Sequence, residues 1–332
     1  MAMLARLQFQ DGAVLDLPVD PAQSVAEAAL AADFPLRVDC LSGTCGSCVA
    51  RCTQGRVSRI GDEASIVDSD EIAAGIYPTC MTRLASDAVF ELDYPLAPQP
   101  SQSARRSGEL IELERVSATV SRLVVRLDEG ESFRFQPGQY VRLRPPGLRV
   151  ARCYSIASSP DALPYIELLI RHVPGGQVSG WLESDAAVAG ARMILQGPLG
   201  GFALDDRADA AVFVVGGTGL APALSMIRAN LGRMPMLLCF GCTRREDLFL
   251  DSMLKALAAS EPGLEVRIAL MEGADGDICG GTAVSLLSSG AIEGAGYHLC
   301  GPPAMVSAAR AALRSQGVES GRIRAERFAS GA

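Results

Sequence analysis

Apolar and polar residues alternate through Leu4–Gln10 and again through Ala13–Val19, with Asp11-Gly12 between them. An Asp-Gly turn between alternating runs predicts a β-hairpin at the start of the chain. Ser24 and Glu27 then form a capping box ahead of Val25, Ala28, Ala29 and Leu30, which predicts a helix over about Ser24–Ala32. From Pro95 to Gly108 large apolar residues almost vanish and Pro, Gln, Ser and Arg take over, the composition of an exposed connection. Short β-rich runs follow, separated by Pro and Gly: Ser117–Leu127, Gln139–Arg144, Arg152–Ser158, Tyr165–His172 and Arg192–Gln196. That spacing predicts a small antiparallel barrel. Beyond it the strands Ala210–Val215, Met236–Phe240, Leu264–Leu270 and Tyr297–Cys300 alternate with helical stretches at Glu246–Ala258 and Ala304–Ser315. This is the βαβ rhythm of a parallel sheet.

The expected fold class is therefore multidomain, with domains at 1–95, 108–206 and 207–332 and a linker at 96–107; 332 residues suffice for three cores. Hydrophobic residues make up 48% and charged residues 20%, without long charge blocks, as in an ordinary folded chain. The net charge of −8 argues against a nucleic-acid partner, since phosphate binding needs clustered Lys and Arg. Between Met1 and Leu17 no apolar run is long enough for a secretory or spanning segment, so a cytoplasmic location without membrane attachment is expected.

Ten cysteines change the picture, because they cluster. Cys40-Leu-Ser-Gly-Thr-Cys45-Gly-Ser-Cys48 reads C-x4-C-x2-C, and Cys80 follows after 31 intervening residues, the spacing of plant-type 2Fe–2S ferredoxins. Each iron is tetrahedral and shares two sulfides, which leaves two thiolates per iron and four in all. Gly43 and Gly46 let backbone amides approach those sulfurs. Zinc knuckles come as paired C-x2-C, and here the second pair is missing. A Rieske centre needs two histidines, whereas His172 and His298 both lie far outside this block. Cys52 reads as a strand residue outside the site, and Cys239 and Cys242 as structural thiols.

Two further groupings suit a dinucleotide. Arg152-Cys153-Tyr154-Ser155 on a predicted strand offers a guanidinium for pyrophosphate and a ring for a flat heterocycle, and Gly175-Gly176-Gln177-Val178-Ser179 opens a short helical stretch. A strand at Ala211–Val215 runs into Gly216-Gly217-Thr218-Gly219-Leu220-Ala221-Pro222, a glycine turn with proline at a first helical position.

Taken together, nearly the whole chain resembles the reductases of aromatic-ring dioxygenases of the benzoate and anthranilate type. The resemblance implies a β-grasp ferredoxin, an antiparallel Greek-key FAD barrel and an α/β nucleotide-binding domain. It implies that Cys40, Cys45, Cys48 and Cys80 hold a 2Fe–2S cluster. It implies that Arg152, Tyr154 and Ser155 contact FAD, with Ser155 near the reacting edge, and that Gly176 and Ser179 serve its pyrophosphate. Gly216, Gly217, Thr218, Gly219 and Pro222 are then expected to receive NADH, with Cys300 of Cys300-Gly301-Pro302-Pro303 beside the hydride path. Glu326-Arg327-Phe328 resembles the ending that sets an acid and an aromatic ring against the flavin.

The expected activity is that of an NADH-dependent ferredoxin-type oxidoreductase. A nicotinamide gives two electrons and a 2Fe–2S cluster takes one, so FAD is needed between them. The expected acceptor is the terminal oxygenase of a Rieske-type system; a soluble diiron monooxygenase and a redox-sensing role are the alternatives. An acid-rich first domain (Asp62, Glu63, Asp68, Asp70, Glu71, Asp87, Glu91, Asp93) favours steering toward a basic partner. Thr243-Arg244-Arg245, just after the second strand of the nucleotide domain, stands against the choice of NADH, because arginines there can hold a 2′-phosphate.

Overall fold

The computed structural model describes residues 2–38, 43, 46–61, 67, 69–94, 96, 105–205, 207–287 and 291–328. Chain contacts divide it into two compact units, one of residues 1–102 with Arg327 and Phe328, the other of residues 103–326.

In the first unit the predicted hairpin is present as β1 (Met3–Gln8) and β2 (Val14–Val19). Inward residues Ala5 and Leu7 of β1 face Leu17 and Val19 of β2, all fully buried. The helix α1 (Val25–Ala31) starts at Ser24, whose Oγ accepts from Glu27 N–H at 3.2 Å while Glu27 Oε2 accepts from Ser24 N–H at 2.8 Å. This is the predicted capping box. β3 (Val49–Gln54), β4 (Val57–Arg59), α2 (Ser69–Ala73), β5 (Ile76–Pro78), β6 (Thr82–Leu84) and β7 (Ala88–Glu91) follow. Among the described residues the main sheet has the order β2-β1-β7-β3-β5, with β1 and β7 parallel, and α1 supplies Val25, Ala26, Ala28 and Ala29 to its core. That is the β-grasp arrangement.

The second unit begins with β8 (Arg105–Arg115), so the stretch read as linker is already strand from Arg105. Only alternate residues such as Gly108 and Leu110 of β8 face inward, and its charged start pairs with the last strand of the sheet, Arg192–Leu199. β9 (Val120–Leu127), β10 (Tyr140–Arg144), β11 (Arg152–Ser155), β12 (Tyr165–Arg171), α3 (Gln177–Leu182) and β13 (Arg192–Leu199) complete an antiparallel sheet of order β11-β10-β13-β8-β9-β12. Its two edges meet through the bridge Ile156–Leu168 and the bond from Ala157 N–H to Glu167 O at 2.8 Å, which closes the barrel.

The same unit continues with β14 (Ala210–Gly216), α4 (Leu220–Ala229), β15 (Met236–Cys242), α5 (Asp251–Ser260), β16 (Leu264–Leu270), β17 (Cys279–Gly280), β18 (Ala295–Gly301), α6 (Pro303–Ser315) and β19 (Ile323–Arg327). The sheet order is β17-β16-β15-β14-β18-β19, and β14, β15, β16 and β18 run parallel. The helix predicted from Glu246 starts only at Asp251, because Arg245–Asp247 forms a separate 3-10 turn and Leu250 takes a left-handed conformation (φ 58°). Among the described residues no helix is long and apolar enough to cross a membrane.

His298, in the buried strand β18, packs between Phe202 and Phe213 with its Nε2 accepting from Asp205 N–H at 3.2 Å. Burial, reinforced by nearby Arg324, pushes its pKa down to about 4, from an ordinary 6.5. The unfolded chain therefore takes up a proton before the folded one, and stability is full above pH 6.5 and falls toward pH 4. Between pH 7 and pH 5 this group alone removes about 2 kcal/mol. His298→Gln is expected to remove most of that acid dependence, as read by urea unfolding followed on Trp181 fluorescence.

Candidate cofactor sites for electron transfer

Cys48 and Cys80 are both buried, and the backbone brings them together: Thr79 N–H donates to Cys48 O at 2.9 Å. Cys40 and Cys45 lie outside the described residues, but Gly43 between them does not. It has φ +72°, and a Cβ there would lie 2.7 Å from Met81 Cγ, one residue beyond Cys80. Gly43 thus lies against Met81, and a side chain at position 43 would have to displace that methionine. The donor set fits a cluster held by four thiolates. Cys52 turns away, donating to Gln54 O at 3.3 Å within β3. Of the acid-rich face, Asp62, Glu63 and Asp68 lie outside the described residues, as does the side chain of Asp70. Asp87 accepts from Leu4 N–H at 2.8 Å, which gives it a structural role in addition to its charge.

In the barrel, Arg152, Tyr154 and Ser155 sit on β11 as expected, paired with Leu143, Val141 and Tyr140 of β10. Arg152 is exposed and donates to Ala151 O at 3.2 Å; among the described residues no carboxylate forms an ion pair with it, so its charge faces outward for an anionic ligand. Tyr154 packs against the barrel core, and burial raises its hydroxyl pKa, so the phenol stays neutral. Ser155 is buried. Gly176 closes a turn through its N–H to Val173 O at 2.9 Å and begins α3. Ser179 Oγ accepts from Val173 N–H at 2.8 Å, so its oxygen builds this turn and its hydroxyl hydrogen is left to donate. An outward guanidinium, a neutral ring and this turn fit a flavin dinucleotide.

The parallel sheet brings together two motifs that are 80 residues apart. β14 ends at Gly216, Gly217–Gly219 makes a 3-10 turn, and α4 follows. A Cβ on Gly219 would lie 2.2 Å from Cys300 O, and one on Gly301 would lie 3.0 Å from both Gly216 N and Gly216 O. Glycine at these positions lets the backbone of Cys300-Gly301 lie directly against the turn. Thr218 lies within this turn. Pro222 is the third residue of α4 rather than the first. The leading 3-10 turn shifts the register, and the proline still costs no bond, because the opening N–H groups of a helix lack intrahelical partners.

Cys300 is fully buried and its Sγ lies 3.9 Å from Glu326 Oε2. Burial, and then the adjacent Glu326 carboxylate, hold the thiol well above its ordinary pKa. It therefore stays an S–H donor pointing at the carboxylate. Glu326 is on β19, the sheet edge beside β18, and Phe328 lies just past the strand, half-buried. Cys239 and Cys242 occupy the buried β15, their thiols pushed up to about 12 by burial, which makes them inert structural residues as expected.

Several residues not singled out by sequence lie beside these sites. Glu167, an isolated carboxylate in the apolar run of β12, is buried and paired with Arg228 of α4 at 3.1 Å and Arg122 of β9 at 3.4 Å. Its place within an apolar run is the signal that sequence reading passed over. Ser158 and Ser225 gave no signal.

The chain matches three family models in succession: a 2Fe-2S iron-sulfur cluster binding domain over residues 9–85, an oxidoreductase FAD-binding domain over 107–204 and an oxidoreductase NAD-binding domain over 213–311. It is 31% identical to the toluate 1,2-dioxygenase electron transfer component of Pseudomonas putida, covering 98% of each chain. It is 37% identical to methane monooxygenase component C of Methylosinus trichosporium over 77% of this chain and 78% of the relative. The solved structure of an Amycolatopsis cytochrome P450 reductase superposes with a TM-score of 0.70 at 29% identity, covering 97% of this chain and 98% of that one. Three domains in this order, with Cys48 brought beside Cys80 and a glycine turn set against Cys300, place the chain in the family of iron–sulfur flavoprotein reductases that serve as electron-transfer components of oxygenases.

Proposed function

We propose that this protein takes electrons from NADH and delivers them to the terminal oxygenase of a Rieske-type, aromatic-ring-hydroxylating dioxygenase system. The observation that carries the reading is that the electron transfer components of three 1,2-dioxygenases, acting on 2-halobenzoate, toluate and anthranilate, match along 97–98% of this chain. When bound, NADH supplies hydride, FAD accepts it, and the 2Fe–2S cluster passes on single electrons. The chain's own part is positional. Cys40, Cys45, Cys48 and Cys80 hold the cluster. Arg152, Tyr154, Ser155, Gly176 and Ser179 hold the flavin. Gly216, Gly217, Thr218, Gly219 and Pro222 receive the nicotinamide nucleotide. Cys300 and Glu326 keep a neutral thiol and a carboxylate beside that turn, and Phe328 is the aromatic residue that follows in the same ending. The domain boundaries that suit this division are 1–95, 105–206 and 207–332, with the second moved to the start of β8, and the location that suits it is the cytoplasm.

The donor is NADH because Arg244 and Arg245 are already committed. Arg244 Nε lies 3.0 Å from Glu272 and its Nη1 3.7 Å from Glu246, while Arg245 lies 3.8 Å from Asp275. Glu246 and Glu272 line the same groove as the two arginines, and carboxylates there repel a 2′-phosphate. Glu246→Gln combined with Glu272→Gln is expected to raise kcat/KM for NADPH by about tenfold relative to NADH, measured by cytochrome c reduction. The acceptor is tested by coupled turnover: NADH consumption that rises more with a Rieske-type oxygenase than with a diiron hydroxylase supports the proposal, and the reverse order contradicts it.

A further inference from the structure

Within the second unit, the barrel and the parallel sheet are tied by directional bonds at two places. Ser225 Oγ donates to Ser158 O at 2.7 Å, and Arg228 Nη1 donates to Ala157 O at 3.1 Å and to Glu167 Oε2 at 3.1 Å. Elsewhere, Thr119 Oγ1 donates to Asp247 Oδ1 at 3.0 Å and Ala118 N–H to Glu246 O at 3.0 Å. Ser225, Ser158 and Glu167 are all buried.

The first set joins two particular segments. Ala157 and Ser158 lie two and three residues beyond Ser155, at the end of the strand proposed to contact the flavin. Ser225 and Arg228 are on α4, the helix that continues the Gly216–Gly219 turn. At about 1.5 Å per residue, Ser225 is about 9 Å along the axis from Gly219. A rigid helix carries a shift at Ser225 to the turn almost undiminished. Met226, between them, packs where a Cβ on Gly138 would come within 2.3 Å of its Cε, so α4 has little room to slide. Buried polar bonds also define one register, where apolar packing tolerates several.

We propose that Arg228, Ser225 and Glu167 are positioning residues: a latch that holds the nicotinamide turn at a fixed distance and angle from the flavin strand. This inference rests on the reading that hydride passes between those two segments. The latch touches neither cofactor site itself and acts through α4 on one side and the 155–158 segment on the other. Displacing a hydride donor by about 1 Å is enough to cost about a hundredfold in rate.

The test uses the full-length holoprotein with Arg228→Ala, Arg228→Lys and Ser225→Ala. Amide hydrogen exchange is measured without NADH, and flavin reduction by NADH in stopped flow. The latch predicts exchange faster by about tenfold across 216–222 and 155–159 in Arg228→Ala, with residues 2–38 unchanged. It predicts flavin reduction slower by about 10- to 100-fold at saturating NADH, the NADH dissociation constant within about twofold of wild type, and partial recovery in Arg228→Lys. Should Arg228→Ala not fold, Ser225→Ala, which removes one oxygen, decides the matter in the same direction with smaller changes. Unchanged exchange in both segments, or a loss confined to the NADH dissociation constant, overturns the latch. Failure of NADH to reduce the wild-type flavin, with exchange still responding, overturns the functional reading and leaves the latch standing.

Discussion

Cys80→Ala is expected to give a protein that retains flavin and NADH oxidation but has lost the absorbance and paramagnetic resonance of a 2Fe–2S cluster. Cys80 is buried in the first unit, beside Cys48, and its loss leaves one iron without a full set of thiolates. Among the described residues the cores of the barrel and the parallel sheet share no residue with the core around Cys80. NADH-driven reduction of cytochrome c, a one-electron acceptor, should therefore fall by at least about a hundredfold, while ferricyanide reduction at the flavin stays within about twofold. Equal loss of both activities would place the cluster outside the electron path.

Gly219→Ala is the second large effect. The Cβ would lie 2.2 Å from Cys300 O and 2.6 Å from its carbonyl carbon, both backbone atoms that no rotamer change can move. The turn and the end of β18 must separate, which costs about 1–3 kcal/mol as overpacking. It also shifts the proposed nicotinamide site relative to Cys300 and Glu326, and flavin reduction by NADH is expected to slow by about a hundredfold. The check is stopped-flow reduction alongside thermal unfolding. A full rate at unchanged stability would show that the two motifs are not one site. Gly321→Ala is the control, because a Cβ there meets nothing within 4 Å and the residue lies outside the nucleotide turn.

Sequence alone made much of this visible, for physical reasons that differ from site to site. The hairpin and the capping box are local: Asp11-Gly12 and Ser24 with Glu27 specify their own hydrogen bonds within a few residues. The cysteine spacing is chemically selective enough to stand without coordinates. The strands of the parallel sheet were plain because both faces are covered, which makes β14 and β15 almost wholly apolar.

Where sequence failed, tertiary context had the deciding role. The charged start of β8 reads as linker because Arg105 and Ser107 are exposed and the inward alternation begins only at Gly108. The Glu246 segment has a good helical pattern, but Asp247 is drawn into bonds with Thr119 Oγ1 and Arg244 N–H, and the helix begins later. β17, of two residues, is an edge too short to announce itself. The contacts of Arg228 with Ala157 and Glu167 span more than 60 residues, and those of Arg244 with Glu272 span 28, so neither follows from a local pattern. Two arginines in sequence suggest a 2′-phosphate site, and the carboxylates that pair with them, Glu272 and Asp275, are distant in the chain and invisible to that pattern.

The central claim is a single electron path from NADH through FAD to the 2Fe–2S cluster, and anaerobic titration of the purified holoprotein with NADH tests it most directly. Visible absorbance follows the flavin and electron paramagnetic resonance follows the cluster. The account predicts flavin bleaching together with the signal of a reduced 2Fe–2S cluster, and a much weaker response to NADPH at the same concentration. A flavin that bleaches while the cluster stays oxidised, or a protein that binds no flavin, would contradict it.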